Sequence, residues 1–203
     1  MVPAVIQGES RVHAHSPSRR RRGGFTLVEL AVTVAILAIL IAIAVPNFTV
    51  VVNNNRLASQ ANALVGALQY ARTESVRLNQ RVVLCQSVSG TACSNNANWT
   101  GWIIYVDRPT GTVATNTLQV GSLNPAVQVS NNPTLTSSNR RISFRPDGMS
   151  RASDGSLMAA NFSVCIPTTR PPDNVRLVTV MAGSRVSTSS LNGSGACTAP
   201  ANP

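Results

Sequence analysis

The chain has 203 residues and a formal net charge of +10, and all 17 of its basic residues are arginine. Without lysine there is no P-loop lysine and no Schiff-base nucleophile. The two histidines, His13 and His15, both precede Phe25, so a chain cut before Phe25 would lack the imidazole of a Ser-His-Asp or Cys-His site or of a His-ligated metal centre. A non-enzymatic protein without a cofactor is therefore expected.

The basic charge is uneven. Arg11 and Arg19 to Arg22 precede Phe25, opposed only by Glu9, whereas 12 arginines and 6 acids follow. Next comes RRGGFTLVEL, residues 21–30, opening an apolar run from Leu27 to Val45 that is broken only by Glu29 and Thr33. About 20 helical residues at 1.5 Å each span a hydrocarbon core. Three readings compete: a secretory signal cut after Ala42-Ile43-Ala44, a plain one-pass anchor, and a segment cut ahead of the apolar run so that the helix is kept. A Ser18-Arg19-Arg20 twin-arginine signal is discounted, because Phe25 falls too far downstream.

Glu29 separates the three. A carboxylate near the start of a span costs roughly 3 kcal/mol, and neither a signal nor a plain anchor gains from it. A cut between Gly24 and Phe25 would leave a free ammonium on Phe25 with Glu29 as the fifth residue. On a helix, i and i+4 share a face, so Glu29 could neutralise its own terminus or that of a neighbouring helix. Gly23-Gly24 would leave the scissile bond unhindered. Arginines ahead of the span would stay cytoplasmic, placing the rest of the chain outside.

GGFTLVELAVTVAILAILIAIAVPNF, residues 23–48, resembles the N-terminus of type IV pilins and type II secretion pseudopilins. The resemblance implies cleavage between Gly24 and Phe25 by a prepilin peptidase, N-methylation of Phe25, and pairing of Glu29 during assembly. A leader of 24 residues is long for that family, and a start at a non-Met codon such as Val12 would shorten it.

Pro46 is expected to kink the helix or interrupt its hydrogen bonding. Beyond it, Leu57, Ala61, Leu64, Leu68, Ala71, Ser75 and Leu78 recur at alternating spacings of 4 and 3, a narrow stripe for packing against a head. From residue 81 the pattern turns to strands, over 81–86, 99–107, 117–120, 126–129, 141–144, 161–166 and 175–181. Residues 146–148 (PDG) and 153–155 (SDG) read as turns. Asp147 and Asp154 offer too few oxygens for calcium. The tail from Ser187 is expected to be flexible up to Cys197.

Cys85, Cys93, Cys165 and Cys197 all follow the apolar run, which fits disulfides in an oxidising compartment rather than zinc. Three pairings exist. Cys85–Cys93, closing a short loop, with Cys165–Cys197, pinning the tail, is preferred.

The head is similar to the GspH/FimT group of minor pilins, through ALQYARTESVRLNQRVVLC, NWTGWIIYVD, RISFRPDGMS and NFSVCI. Glu74 and Asp107 fall in the matching stretches, and structural pairing or turn capping is the preferred role for both. Some FimT-type pilins bind DNA through a Gly-Arg-x-Arg loop. The corresponding Gly183-Ser184-Arg185-Val186 has one arginine, displaced by a residue. Arg170, Arg176 and Arg185 are the candidate DNA contacts, with a solvated basic surface as the favoured reading.

The expected architecture is α+β with a type IV pilin-like fold. A leader, 1–24, is removed. A long helix, 25–80, is transmembrane over 27–45 and amphipathic over 47–80, and it packs on a two-sheet antiparallel head, 81–203. The expected function is a structural subunit of a type II secretion pseudopilus or a type IV pilus. Expected partners are other pilins, the inner membrane and a prepilin peptidase, with the head in the periplasm. A DNA-binding minor pilin and a secreted soluble domain are the alternatives.

Overall fold

The computed structural model describes residues 24–152 and 154–203. The expected leader up to Gly23, including a start at Val12, lies outside the described residues, as do Ser153 of the second turn and the side chain of Pro46. The chain divides into two units after Ala42.

Helix α1 runs Leu27–Leu78 and stays helical through position 46. Its first part holds an apolar window of mean hydropathy 2.8 with none of its side chains buried, long and apolar enough to cross a membrane. The second part is different. Leu57, Ala61, Leu64, Leu68, Ala71 and Ser75 are all buried, and Leu78 is half-buried. Each buried leucine contributes about 2 kcal/mol relative to exposure. The helix ends because Asn79 takes a left-handed conformation, φ 51°. The Gln80 N–H then donates to the Ser75 carbonyl at 3.2 Å and the Asn79 N–H to that of Val76 at 3.3 Å, closing a Schellman cap.

The chain leaves that cap directly into β1 (Val82–Gln86). There follow β2 (Gly101–Val106), β3 (Thr117–Ser122), β4 (Gln128–Asn131), a short helix α2 (Pro133–Ser137), β5 (Arg141–Phe144), β6 (Ser150–Arg151), β7 (Ala160–Cys165), β8 (Val175–Val180) and β9 (Val186–Leu191). They form two sheets, ordered β3-β2-β1-β5-β6 and β4-β7-β8-β9, with every pairing antiparallel.

One core joins the α1 stripe to both sheets. It takes Val82, Leu84, Trp102, Ile104, Ile142 and Phe144 from the first sheet and Val129, Phe162, Val164, Val178 and Val180 from the second. Trp99 packs edge-on against Phe162, ring centroids 5.4 Å apart, while its indole N–H donates to Asn131 at 2.9 Å. Polar contacts fix the helix along its length. Asn53 donates to the Arg170 carbonyl, Gln60 accepts from Asn124, Arg72 donates to the Ser184 carbonyl, and Ser75 donates to that of Arg145.

The segment expected to be a flexible tail is instead built into the head. Its Ser/Thr-rich residues form β9, paired with β8 along its whole length. Buried asparagines hold the residues after β9. Asn174 accepts from the Gly193 N–H at 2.8 Å, Asn161 donates to the Ala201 carbonyl at 2.9 Å, and Asn132 donates to Asn202 at 2.7 Å. Backbone pairing and side-chain amides replace the apolar burial that the composition lacks.

At Gly121, paired with Trp102 across β2 and β3, a Cβ would lie 2.1 Å from the indole ring. Trp102 is itself buried, so the ring has little room to move. Gly121→Ala is expected to destabilise the head by about 1–3 kcal/mol, the usual cost of overpacking. Urea unfolding of the detergent-solubilised chain, followed by far-ultraviolet circular dichroism, checks this, and an unchanged midpoint would contradict the packing.

Candidate functional site

The expected assembly segment begins at Gly24, where nothing lies within 4 Å of an added Cβ. Phe25 is 83% exposed and precedes the helix. The helix starts two residues later than expected, because Thr26 is its N-cap. The Thr26 hydroxyl accepts the Glu29 N–H at 3.1 Å, and the Thr26 carbonyl accepts that of Leu30 at 3.1 Å. In the uncut chain Phe25 and Glu29 are therefore not on one helical face. Glu29 sits instead in the first turn, where the helix dipole favours a carboxylate. Sequence reasoning missed the cap, although Thr26-Leu27-Val28-Glu29 is the S/T-x-x-E pattern of a capping box.

In the head, Cys85 is disulfide-bonded to Cys93 and Cys165 to Cys197. The first bond lies on the outer face of β1, in a small cluster with Val83, Ile103 and Tyr105. The second closes a separation of 32 residues. Restricting a loop of that size in the unfolded chain is worth about 3–4 kcal/mol in the chain-entropy account.

Glu74 and Asp107 both make structural pairs. Arg77 grips Glu74 through Nε, 3.0 Å from both carboxylate oxygens, and through Nη2 at 2.7 Å. These bonds hold the Glu74 carboxyl below its ordinary range, against an opposing effect of burial. Asp107 accepts from Arg81 Nε at 2.6 Å and also from Arg81 Nη2. Asp147 and Asp154 each close their own turn. Asp147 accepts the Met149 N–H at 2.8 Å, and Asp154 accepts the Ser156 hydroxyl at 2.7 Å and its N–H at 2.9 Å. Those bonds lower both carboxyls, with Arg151 adding to the effect at Asp147.

The three candidate DNA contacts are not brought together. Arg176, near the start of β8, donates to the Asp173 carbonyl at 2.8 Å and to Asn54 of α1 at 3.0 Å, so it ties sheet to helix. Arg170 lies in the loop ahead of β8. Arg185 is exposed in the β8–β9 turn, at the other end of that strand.

A long N-terminal helix whose second part shares a core with a two-sheet antiparallel head is a type IV pilin-like fold, and the exposed apolar start of that helix is long and apolar enough to cross a membrane. The profile of the family described as type II transport protein GspH matches residues 60–184, and the prokaryotic N-terminal methylation motif matches residues 19–45. The chain belongs to the GspH family of minor pilins and pseudopilins. Among solved structures, the type IV minor pilin FimU of Pseudomonas aeruginosa PAO1 is similar in two crystal forms. One has 20% identity and a TM-score of 0.50 over 67% of this chain and 90% of that one. The other has 19% identity and a TM-score of 0.48 over 66% and 92%. None of the curated proteins compared matches the chain.

The lowered carboxyl of Glu74 sets a pH dependence. The stabilisation is complete above the ordinary glutamate value of about 4.3 and is lost as pH falls through the lower folded value. Stability should be level near neutrality and fall below about pH 4. Glu74→Gln should make that fall shallower. Thermal melts of both proteins between pH 3 and 7 check this, and parallel curves would remove Glu74 from the account.

Proposed function

We propose that the chain is a minor subunit of a membrane-anchored filament, either a type II secretion pseudopilus or a type IV pilus. Cleavage between Gly24 and Phe25 by a prepilin peptidase and methylation of the new terminus precede its assembly. The observation that carries this reading is the apolar first part of α1, which the chain itself leaves uncovered. A surface of that size needs lipid before assembly and the helices of other pilins afterwards. The arginines ahead of it hold the uncut terminus in the cytoplasm, and the head faces the periplasm.

Glu29 has two roles in succession. Before cleavage it stands in the first turn beside its Thr26 cap. After cleavage it is the one acid in the span, close in sequence to a new ammonium, and it sets register by pairing with that of a neighbouring subunit. DNA binding is less well supported, because Arg176 is engaged with α1 and only Arg185 occupies the turn.

Glu29→Gln separates capping from charge, since glutamine also serves at the third position of a capping box. The variant should insert normally and keep the stability of the head. Its incorporation into filaments should drop about tenfold or more, because an unpaired ammonium in a low-dielectric setting costs several kcal/mol. Cross-linking to partner pilins reads incorporation, and mass spectrometry of the mature N-terminus reads processing. Normal cleavage with wild-type incorporation would remove Glu29 from assembly. A mature start at Val45 would replace the whole reading with that of a released soluble domain.

A further inference from the structure

The face of the five-stranded sheet opposite the core is half closed. Side chains alternate along β1 and β2, so Val82, Leu84, Ile104 and Val106 enter the main core while Val83, Cys85, Ile103 and Tyr105 form the small outer cluster. Next to that cluster, strand register sets Tyr105, Val83, Ser143 and Arg151 in one row across β2, β1, β5 and β6. Arg141 follows in the neighbouring row opposite Cys85, and the Arg81–Asp107 pair stands beside the strand ends. Together they line a concave pocket of about 240 Å³.

The charges of this pocket do not cancel. Arg81 is paired with Asp107, and Arg151 Nη2 lies 3.1 Å from Asp147. The guanidinium of Arg141, an exposed residue, has neither a hydrogen bond nor a salt bridge among the described residues. One buried donor is also unused. Arg151 Nε has no acceptor, although its Nη1 and Nη2 donate to the Gly155 carbonyl and to Asp147. The Tyr105 hydroxyl makes no hydrogen bond to the protein among the described residues and stays open to solvent. Buried donors are almost always satisfied, so an orphaned guanidinium N–H beside an unpaired guanidinium points to an acceptor from outside the chain.

We propose that this pocket binds a single carboxylate, with Arg141 as its charge partner and Arg151 Nε–H and the Tyr105 hydroxyl as donors. The planar fork of a guanidinium matches the two oxygens of a carboxylate. The lining carries three arginines against one aspartate, and the volume admits a carboxyl on a short chain. The carboxylate could come from a free small acid or from the acidic side chain of a polypeptide.

The full chain in detergent, labelled with ¹⁵N-arginine, tests this by titration with acetate, N-acetyl-glutamate α-amide and inorganic phosphate. Acetate should move the Nε–H signals of Arg141 and Arg151 saturably and leave those of Arg77 and Arg176 in place. Arg141→Gln should weaken the response at Arg151 about tenfold, and Arg141→Lys should restore part of it. Tyr105→Phe keeps the packed ring and should weaken binding several-fold, which provides a second variant should Arg141→Gln unfold. A tighter response to the glutamate amide than to acetate identifies a polypeptide side chain as the source, and an equal response identifies a free acid. Either supports the site. Unsaturable movement of all arginine signals, indifference to both substitutions, or tighter binding of phosphate than of acetate overturns it.

Discussion

The burial of one narrow stripe on α1 governs the head. Leu57, Leu64, Leu68 and Ala71 are covered by residues from both sheets, so neither sheet has a complete core without the helix. The stripe is narrow because its other flanks carry Arg56, Gln69, Arg72 and Arg77, which stay exposed. The helix must therefore lie in one rotational setting. Polar contacts at Asn53, Gln60, Arg72 and Ser75 fix that setting along about six turns. The Schellman cap at Asn79 then aims the chain directly into β1, the central strand of the larger sheet.

Much of this was legible in the sequence. The 4-3 spacing located the stripe, and β-branched runs bounded by Gly, Pro and Asn located seven strands close to where they form. What escaped has physical causes. β9 carries Ser and Thr where a strand usually carries Val and Ile, and its order comes from its ladder with β8 and from amides such as Asn174, whose burial no local pattern reveals. β1 is buried on both faces although the sheet is antiparallel, because a disulfide loop carrying Cys93, together with Val113, covers the side away from the core. Among the functional candidates, the Gly24–Phe25–Glu29 pattern was readable as a motif. The cap that Thr26 supplies is also written in the sequence, but it is hidden inside that motif, where one threonine serves both.

Arginine does structural work throughout the head. Arg77 and Arg81 secure acids near the end of α1 and the start of β1, Arg72 and Arg176 tie the helix to β-turn and strand, and Arg140 holds the Asn95 loop through its guanidinium. A net positive charge therefore does not amount to a basic interaction surface. The geometry distinguishes arginines that complete the fold from Arg185 and Arg141, which it leaves facing outward.

The placement of the aromatic residues has a spectroscopic consequence. Both tryptophans, Trp99 and Trp102, are buried in the core of the head, and both tyrosines, Tyr70 and Tyr105, lie beyond the membrane-length segment, which contains none. The intrinsic fluorescence of the molecule thus comes from the head and from the part of α1 packed on it. Unfolding of the head alters the emission directly, whereas insertion of residues 27–45 into lipid is silent, and a fluorophore introduced there would report on the bilayer against a dark background.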